Sequence, residues 1–369
     1  MADSRVASGL TVEQWDSQYF TEYLTENRFS GEMGTSESDI IQVKENLSKK
    51  PGDRINYALV NKLTQNAITG RDVLEGNEED MASRSYEQTV NKRRNGVRIA
   101  EIDEQFSSIS LREAAKSTLK EWSMKDTETR IIQALASIDG VEYASATEGQ
   151  KDTWLTNNLA RVYDPSGTYG TDHSALLAQL DLTNDKITAT DIDAMKYRAL
   201  VPAVAGKPRM RPIRVAENGR HYFILYVDPR LMRDLKAESS SPIIQAQRES
   251  VKEMENNRLF QGGDLLWNGV IIKEIHQMYD ELATPFTNVG DGATVEVGCA
   301  FLCGAQAIAA AYAKRWRSVE ETFDYGDKRG VAIESIYGIG KMRFGTSEGS
   351  DTGTPLDHGV LTGYFATTN

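Results

Sequence analysis

The segment from Gly70 to Ile99 constrains the fold of this chain most strongly, because it offers little apolar surface to bury. It reads GRDVLEGNEEDMASRSYEQTVNKRRNGVRI, with five carboxylates between Asp72 and Asp80 and four cations between Lys92 and Arg98. The preceding stretch, RINYALVNKL, alternates apolar and polar residues, and Tyr86 to Arg94 alternates again. Alternation with a period of two predicts two β-strands, so the acidic stretch forms the tip of a two-stranded ribbon.

This predicted ribbon cannot stabilise itself. Its outward strand, Arg54 to Leu63, would extend roughly 33 Å at the usual rise per residue. A lone two-stranded hairpin is marginally stable in water, and no other part of the sequence obviously supplies a cover. We therefore expect a neighbouring copy of the chain to order the ribbon, with a solvated, flexible hairpin as the alternative.

Bulk composition narrows the class of protein. The chain has 369 residues, of which 40% are hydrophobic and 26% charged, as in ordinary globular proteins. Its net charge of −12 argues against a dedicated nucleic-acid binder, which would carry a basic footprint. No signal peptide or membrane-spanning run is expected, and two cysteines provide no disulfide framework, which favours a reducing compartment.

The N-terminus predicts a short helix that presents aromatic residues. Thr11 and Gln14 have the spacing of a capping box, and Trp15, Tyr19 and Tyr23 recur at helical intervals. The following FSGEMGTSESD predicts a flexible lead that lets this face reach another molecule. The alternative is that the helix packs on its own domain.

The remainder mixes helices and strands. LREAAKSTLKEW begins a capped helix that continues, across the polar SMKDTETR, as one long helix of roughly 40 Å with an exposed middle, or as two in tandem. TATDIDAMKYRAL predicts a helix, and GRHYFILYVDPRLMRDL a buried strand followed by a helix. NGVIIKEI, ATVEVGCAFLCG and GVAIESIYGIGKMRF predict strands, and AQAIAAAYAKRW predicts a helix. Because no regular βαβ order appears, the predicted fold class is α+β.

The usual catalytic and metal signatures are missing. Gly338-Ile339-Gly340-Lys341 lacks the upstream glycine and the hydroxyl residue of a phosphate-binding loop. Zinc held by Cys299 and Cys303 with His221 or His276 is less favoured than two buried thiols. Lys314 to Arg317, at the end of the predicted alanine-rich helix, is a minor alternative as a DNA-contacting patch. We predict no catalytic residues, metal or cofactor, and no enzymatic activity.

The order of features resembles the major capsid proteins of tailed phages, a Hong Kong-type fold shared with herpesvirus shells. GDRINYALVNKL, GRDVLEGNEE, LREAAKSTLKEW, FILYVDPRLMRDLK, LFQGGDLLWNGVIIKEI, FLCGAQAIAAAY and FDYGDKRGVAIESIYGIGKMRF are similar to successive signatures of a podovirus-associated subgroup. The resemblance covers nearly the whole chain from about residue 50, and LEGNEE and FDYGDKRGVAI are its most specific parts.

The resemblance implies an architecture. Residues 1–50 would form an N-terminal arm, 51–102 an E-loop ribbon, 103–200 a P-domain with a long spine helix, 201–320 an A-domain, and 321–369 a return to the P-domain and the C-terminus.

The resemblance also implies a function and partners. The chain would self-assemble into hexamers and pentamers of an icosahedral shell enclosing double-stranded DNA, in a virion assembled in host cytoplasm. Expected partners are a separate scaffolding protein, a portal and a decoration protein, with weak contacts to the packaged DNA and no membrane. An encapsulin-like compartment and a soluble α+β enzyme are the alternatives.

The expected inter-subunit contacts fall into five groups of residues. The aromatic arm and the apolar stripe of the ribbon would lie on other copies, and the acidic tip would dock on a basic region of an adjacent subunit. Two basic regions are candidates, one in the ribbon and one in a stiff proline-containing segment. The residues are Trp15, Tyr19 and Tyr23; Ile55, Tyr57 and Leu59; Asp72, Glu75, Glu78, Glu79 and Asp80; Lys92, Arg93 and Arg94; and Lys207, Arg209, Arg211 and Arg214.

Overall fold

A computed structural model describes most of the chain, in ten ranges. They are residues 28–45, 52–60, 63, 65–79, 83–107, 109–201, 209–214, 219–237, 264–345 and 354–368. The predicted aromatic helix with Trp15, Tyr19 and Tyr23 lies outside them, as do Asp80 and Lys207. Within these ranges, no helix is both long and apolar enough to cross a membrane.

The described residues form two compact units. The smaller contains Lys92–Asp126 and Arg315–Ile336, and the larger contains Arg28–Asn91, Thr127–Lys314 and Tyr337–Asn369. The predicted boundaries of arm, E-loop, P-domain and A-domain stay predictions.

Seven α-helices lie within the described ranges. In chain order they are α1 (Glu101–Phe106), α2 (Leu111–Ala136), α3 (Glu148–Asn157), α4 (His173–Leu177), α5 (Ala189–Leu200), α6 (Pro229–Ala237) and α7 (Gln277–Leu282). Thr188 caps α5 in a capping box with Asp191, which explains why this predicted helix begins where it does. The predicted long helix is confirmed as one continuous α2 of 26 residues.

Sixteen strands lie within the described ranges. They are β1 (Met33–Gly34), β2 (Ile41–Lys44), β3 (Arg54–Val60), β4 (Ser83–Thr89), β5 (Asn91–Ala100), β6 (Val162–Tyr163), β7 (Ile213–Arg214), β8 (His221–Val227), β9 (Leu265–Trp267), β10 (Val270–Glu274), β11 (Glu296–Cys303), β12 (Ile308–Phe323), β13 (Lys328–Lys341), β14 (Arg343–Gly345), β15 (Pro355–Asp357) and β16 (Val360–Thr367). The mixed α+β class is therefore confirmed.

A mixed sheet forms the core of the larger unit. Its order is β6-β16-β11-β8-β10-β9, with β7 pairing with β8. Strand β11 runs antiparallel to both β16 and β8, whereas β8 and β10 are parallel. Helices α5 and α6 bury Met195 and Leu231 against Phe223 and Phe365 of this sheet. The strands predicted from FILYV, NGVIIKEI and EVGCAFLC are confirmed.

The alanine-rich run predicted as a helix is strand β12, so that prediction was wrong. Ile308 to Ala311 pair in parallel with Ile41 to Lys44 of β2, and the alanines are fully buried. Tertiary pairing overrides the high helix propensity of alanine here, because its small side chain permits close packing on the sheet. Lys314 to Arg317 consequently lie within a strand and not at a helix end.

The stretch from Phe29 to Asp39 is not a flexible lead, contrary to the prediction. Phe29 is buried with its ring centroid 5.0 Å from that of Tyr226. Glu32 is also buried, 2.6 Å from Lys273 Nζ, and accepts a hydrogen bond from the Tyr226 hydroxyl. Two buried groups of opposite charge therefore fix this stretch to the core, since each would be costly without the other.

The polar middle of α2 is not exposed as predicted. Ser123, Thr127 and Glu128 are all buried, although they belong to the SMKDTETR stretch that interrupts the apolar stripe. Ser123 satisfies its hydroxyl by donating to the carbonyl of Lys120.

The predicted ribbon exists, but its base packs on its own chain. Strands β3 and β4 pair antiparallel, with Tyr57 opposite Tyr86. Tyr57 is only 1% exposed, and together with Ile55 it joins a cluster with Ala309, Ala311, Met342 and Phe344. The expected cover from a neighbouring copy is therefore unnecessary for this part, which the chain's own strands support. The second strand also breaks at Val90, after which β5 pairs with β13.

Two glycines of the YGIGK stretch allow the base of the ribbon to pack closely on β13. A methyl group added to Gly338 would overlap the carbonyl oxygen of Thr89, and one added to Gly340 would overlap the Gln88 side chain. Tyr86 donates its hydroxyl hydrogen to Gln88 Oε1 at 2.9 Å, which fixes the Gln88 side chain against these glycines. The glycines thus serve close packing and not phosphate binding.

Replacing Gly338 by alanine tests whether the ribbon base depends on this close packing. We expect Gly338→Ala to lower the free energy of unfolding by roughly 1–3 kcal/mol, the usual cost of overpacking a rigid site. Gly149→Ala is the control, because no atom lies within 4 Å of the added methyl group there and alanine is the better helix former. Denaturant titration of both full-length variants measures the difference, and equal stabilities would contradict the close packing.

Candidate assembly surfaces

The tip of the ribbon, Gln65–Glu79, is an ordered turn despite its exposure. Asn77 N donates to the Leu74 carbonyl at 2.9 Å, and Gly76 at the third position has φ 87°. This conformation is that of a type II turn, which favours glycine there. Asn77 Nδ2 also donates to the Val73 carbonyl at 3.0 Å, so LEGN closes on itself.

The acidic residues of the tip divide into two kinds. Glu78 Oε2 accepts a hydrogen bond from Gly76 N, and Glu79 Oε2 accepts one from Gln65 N, each at 2.7 Å. These two carboxylates therefore help to hold the tip closed. Asp72 and Glu75 are exposed and form no hydrogen bond with the other described residues of the tip, so they are better placed to meet another molecule.

The tip also exposes apolar side chains. Val73 is 65% exposed and Leu74 62%, and Leu63 and Val60 are similarly open to solvent. These residues were not predicted from the sequence, because the carboxylates dominate the pattern of this segment. Neighbouring exposed aliphatic and acidic side chains are typical of a surface that binds a partner.

Of the three predicted contacts on the outward strand, two are buried within the chain. Ile55 and Tyr57 belong to the cluster under the ribbon base, and Leu59 packs against the same cluster while half-buried. The alternation that predicted an apolar stripe was correct, but this stripe faces the chain's own alanines. Ile55 and Tyr57 are therefore covered by their own chain and not available for inter-subunit contact, contrary to the prediction.

The smaller unit packs one face of three strands against α2. The strand order is β12-β13-β5, and Trp316 meets Trp122 of α2 with ring centroids 5.8 Å apart. Arg93 donates two hydrogen bonds to Asp126, at 2.7 and 2.6 Å. Arg93 is therefore already paired within its own unit.

The opposite face of these strands, which we call the outer face, carries a network of charges. Glu334 accepts hydrogen bonds from Lys92, at 2.7 Å, and from Arg317. These bonds lower the pKa of Glu334 to about 2. Arg98 lies on the same face, 4.6 Å from the ring centroid of Phe323, and alternation along β5 places exposed Arg94 on this face as well.

The predicted basic residues therefore differ in whether their charges are already paired within the chain. Lys92 and Arg93 are paired inside the smaller unit, whereas exposed Arg94 forms no ion pair among the described residues. In the other group, Arg209, Arg211 and Arg214 are exposed, and Arg211 lies 3.4 Å from Glu37. Arg214 belongs to β7, a short strand beside His221.

Further exposed aromatic and apolar groups lie in the smaller unit. Phe106 of α1 is 80% exposed, Ile102 is also open, and Tyr325 is fully exposed at the turn between β12 and β13. Tyr325 has φ 54°, a backbone conformation that is unfavourable for a bulky residue. No periodic pattern in the sequence marks these residues.

The structure gives the positions of the two cysteines and of one carboxylate cluster that could bind a metal ion. Cys299 and Cys303 are buried on β11, and burial raises the pKa of both thiols. In the described ranges, one group has three carboxylates close enough to share an ion, and it contains Glu148, Asp152 and Asp172 without either cysteine. Asp152 there accepts from His173 N at 2.7 Å, which gives it a structural role.

Comparison with solved structures identifies the class of this fold. The chain superposes on the cyanophage Pam1 capsid asymmetric unit with a TM-score of 0.82 and 27% identity, covering 100% of this chain and 99% of the other. The capsid of Ralstonia phage GP4 gives a TM-score of 0.80 at 21% identity, with the same coverages. The fold is that of a phage capsid shell subunit, as the sequence predicted.

Sequence comparison gives the family. The phage capsid protein family matches residues 4–368. A major capsid protein of Pseudomonas phage KPP25 is 28% identical over 373 residues, covering 97% of this chain and 96% of the relative. The chain belongs to the phage capsid protein family and is a structural subunit of a virion shell. The finer subgroup predicted from LEGNEE stays a prediction.

The order of the tip can be tested through proteolysis at Arg71, an exposed residue within it. Gly76→Val forces a β-branched residue into a left-handed conformation, so we expect the tip to open and trypsin to cleave after Arg71 several-fold faster. Glu75→Gln is the control, because its side chain takes no part in the turn. Mass spectrometry of the fragments measures the rate, and equal cleavage of the two variants would show that the turn does not depend on Gly76.

Proposed function

We propose that this chain forms hexamers and pentamers of an icosahedral shell that encloses double-stranded DNA. Family membership and the similarity to the Pam1 capsid asymmetric unit support assembly into a shell. Identical chains close into rings when the rotation at a heterologous contact closes, and many such rings curve into a container.

The exposed tip is the observation that carries this proposal. It projects apolar and acidic side chains from a base that is firmly packed on the chain's own strands. A preorganised projection loses little conformational entropy on binding, which favours association with a second copy. The function of the ribbon is then to bring Asp72, Val73, Leu74 and Glu75 to a neighbouring subunit.

The receiving surface is a basic region of that neighbour. The outer face around Arg94 and Arg98 has more cations than carboxylates, and the segment with Arg209, Arg211 and Arg214 is the second candidate. Exposed ion pairs contribute only about 0–1 kcal/mol each, so the charges would chiefly set partner choice and register. The apolar side chains of the tip would provide most of the affinity.

We also propose the remaining features of a shell subunit. A separate scaffolding protein, a portal and a decoration protein are the expected partners, and assembly takes place in host cytoplasm. The net charge of −12 fits a container wall that makes only weak, screened contacts with packaged DNA. The chain acts without enzymatic activity, as its structural family supports.

Charge reversal at the tip tests the docking step. We expect the double variant Asp72→Lys, Glu75→Lys to abolish or strongly reduce shell formation, seen by electron microscopy, while circular dichroism and the unfolding midpoint stay unchanged. Glu78 and Glu79 are avoided because they hold the turn closed.

Nucleic acid within native particles would distinguish a genome container from a compartment for other cargo.

The control and the rescue identify the receiving surface. Asp280→Lys with Asp291→Lys makes the same change in charge at exposed carboxylates of the larger unit, and shells should still form. Arg94→Glu with Arg98→Glu should restore assembly of the tip variant if the outer face receives it, whereas Arg209→Glu with Arg214→Glu should restore it if the other segment does. Normal shells from the tip variant alone would contradict the docking proposal.

A further inference from the structure

Helix α1 of the smaller unit is ordered although its own chain does not cover it. None of its six residues is buried, and its two large apolar side chains, Ile102 and Phe106, are 58% and 80% exposed. Isolated helices shorter than about 12 residues are marginal in water, because nucleation is costly and tertiary packing normally compensates for it. The exposed apolar residues of α1 therefore indicate a surface that packs on another molecule.

One side of α1 combines apolar and acidic groups. Ile102, Asp103 and Phe106 share this side, because residues three and four apart are neighbours on a helix surface. The helix has two further carboxylates in its first turn and contains no cation. Glu101 N donates to the carbonyl of Asp327 at 2.8 Å, which fixes the start of α1 beside the turn between β12 and β13. Helix α1 is thus a fixed projection that is both acidic and apolar.

A cavity of about 500 Å³ lies in the same unit, between the start of α2 and the ends of β12 and β13. Its lining includes Arg112, Thr322, Arg329 and Val331. The volume lies in the range of about 300–1,000 Å³ that is typical of ligand pockets, so an aromatic side chain can enter. The chain's own Phe106 does not occupy this cavity, since most of its side chain is open to solvent.

The wall of the cavity presents one cation without an ion pair. Glu320 pairs with Arg112 and, at 2.9 Å, with Lys116. Arg329 is exposed and forms no ion pair among the described residues. The side chain of Glu321 points towards the outer face, because successive residues of a strand alternate between faces and Glu320 lies on the α2 side. Arg329 can therefore pair with a carboxylate of a second molecule.

We propose that α1 of one subunit docks in this cavity of a second copy of the chain, with Phe106 inside the cavity and Asp103 paired with Arg329. The projection and the cavity are different surfaces of one chain, so the contact is heterologous, and copies related by a closing rotation form a ring. The inference rests on the proposed assembly into shells, to which it adds a second contact. It is independent of docking by the tip.

Disulfide trapping between two different variants tests this contact. Chains carrying Phe106→Cys are mixed with chains carrying Thr322→Cys before assembly, and a mild oxidant then accepts the electrons and protons released as the disulfide forms. We expect a covalent dimer whose linked peptides, identified by mass spectrometry, contain positions 106 and 322. Each chain has one introduced cysteine, and the natural cysteines are buried, so the link joins two copies. Tyr197→Cys in place of Phe106→Cys is the control, because this residue of the larger unit is 66% exposed and should give no dimer.

Exchange of charges tests the same contact without a thiol. Asp103→Arg should lower the yield of shells by about tenfold or more, because like charges then meet at Arg329. Arg329→Asp in the same chain should restore the yield, because the pair forms again with its signs exchanged. Asp280→Arg makes the equivalent change on the exposed surface of another short helix, α7, and should leave assembly unchanged.

The outcomes separate this contact from the shell function. Normal shells from Asp103→Arg, or shells without a link between positions 106 and 322, would overturn the contact and leave the shell function intact. Links that join only Phe106→Cys chains to each other would also overturn it, because the contact would then be isologous. A loss of assembly in Asp103→Arg that Arg329→Asp does not repair would refute the pairing. Failure of the natural chain to form shells would contradict both proposals.

Discussion

Close packing of the ribbon base on small residues determines where the rest of the ribbon can go. Ala309 and Ala311 of β12 pack against Ile55 and Tyr57. Gly338 and Gly340 of β13 leave room for Gln88 and Thr89. A larger side chain at any of these positions would lift the ribbon from the sheet. Because the base is fixed, the tip projects as a defined element, and its exposed side chains can act as a specific contact.

The division between buried base and exposed tip suits a protein that assembles. Tyr57 and Ile55 stabilise the single chain, whereas Val73, Leu74, Asp72 and Glu75 stay available to a neighbour. A second internal anchor, the buried pair of Glu32 and Lys273, fixes the stretch from Phe29 to Asp39 to the core. Extended parts that leave a rigid core in this way let one subunit contact several others, so that individually weak contacts give a persistent lattice.

Much of this architecture was predictable from the sequence, because local patterns decide it. The capping box at Thr188, the apolar run FILYV and the period-two alternation of β13 gave the correct elements. The alanine-rich run was misassigned because its strand state depends on pairing with Ile41 to Lys44, which are far away in sequence. Phe29, Glu32 and Asp39 were assigned to a flexible lead for the same reason, since their burial depends on partners such as Tyr226 and Lys273. The position of the acidic tip was predictable, but not which of its carboxylates close the turn, because that depends on three-dimensional geometry.

The central claim is that the tip becomes covered by a sister subunit. Leu74→Cys with maleimide labelling tests it most directly, because Cys299 and Cys303 are buried and give little background. We expect rapid labelling of the introduced cysteine in unassembled subunits and strong protection of it in intact shells. Equal labelling in both states would contradict it.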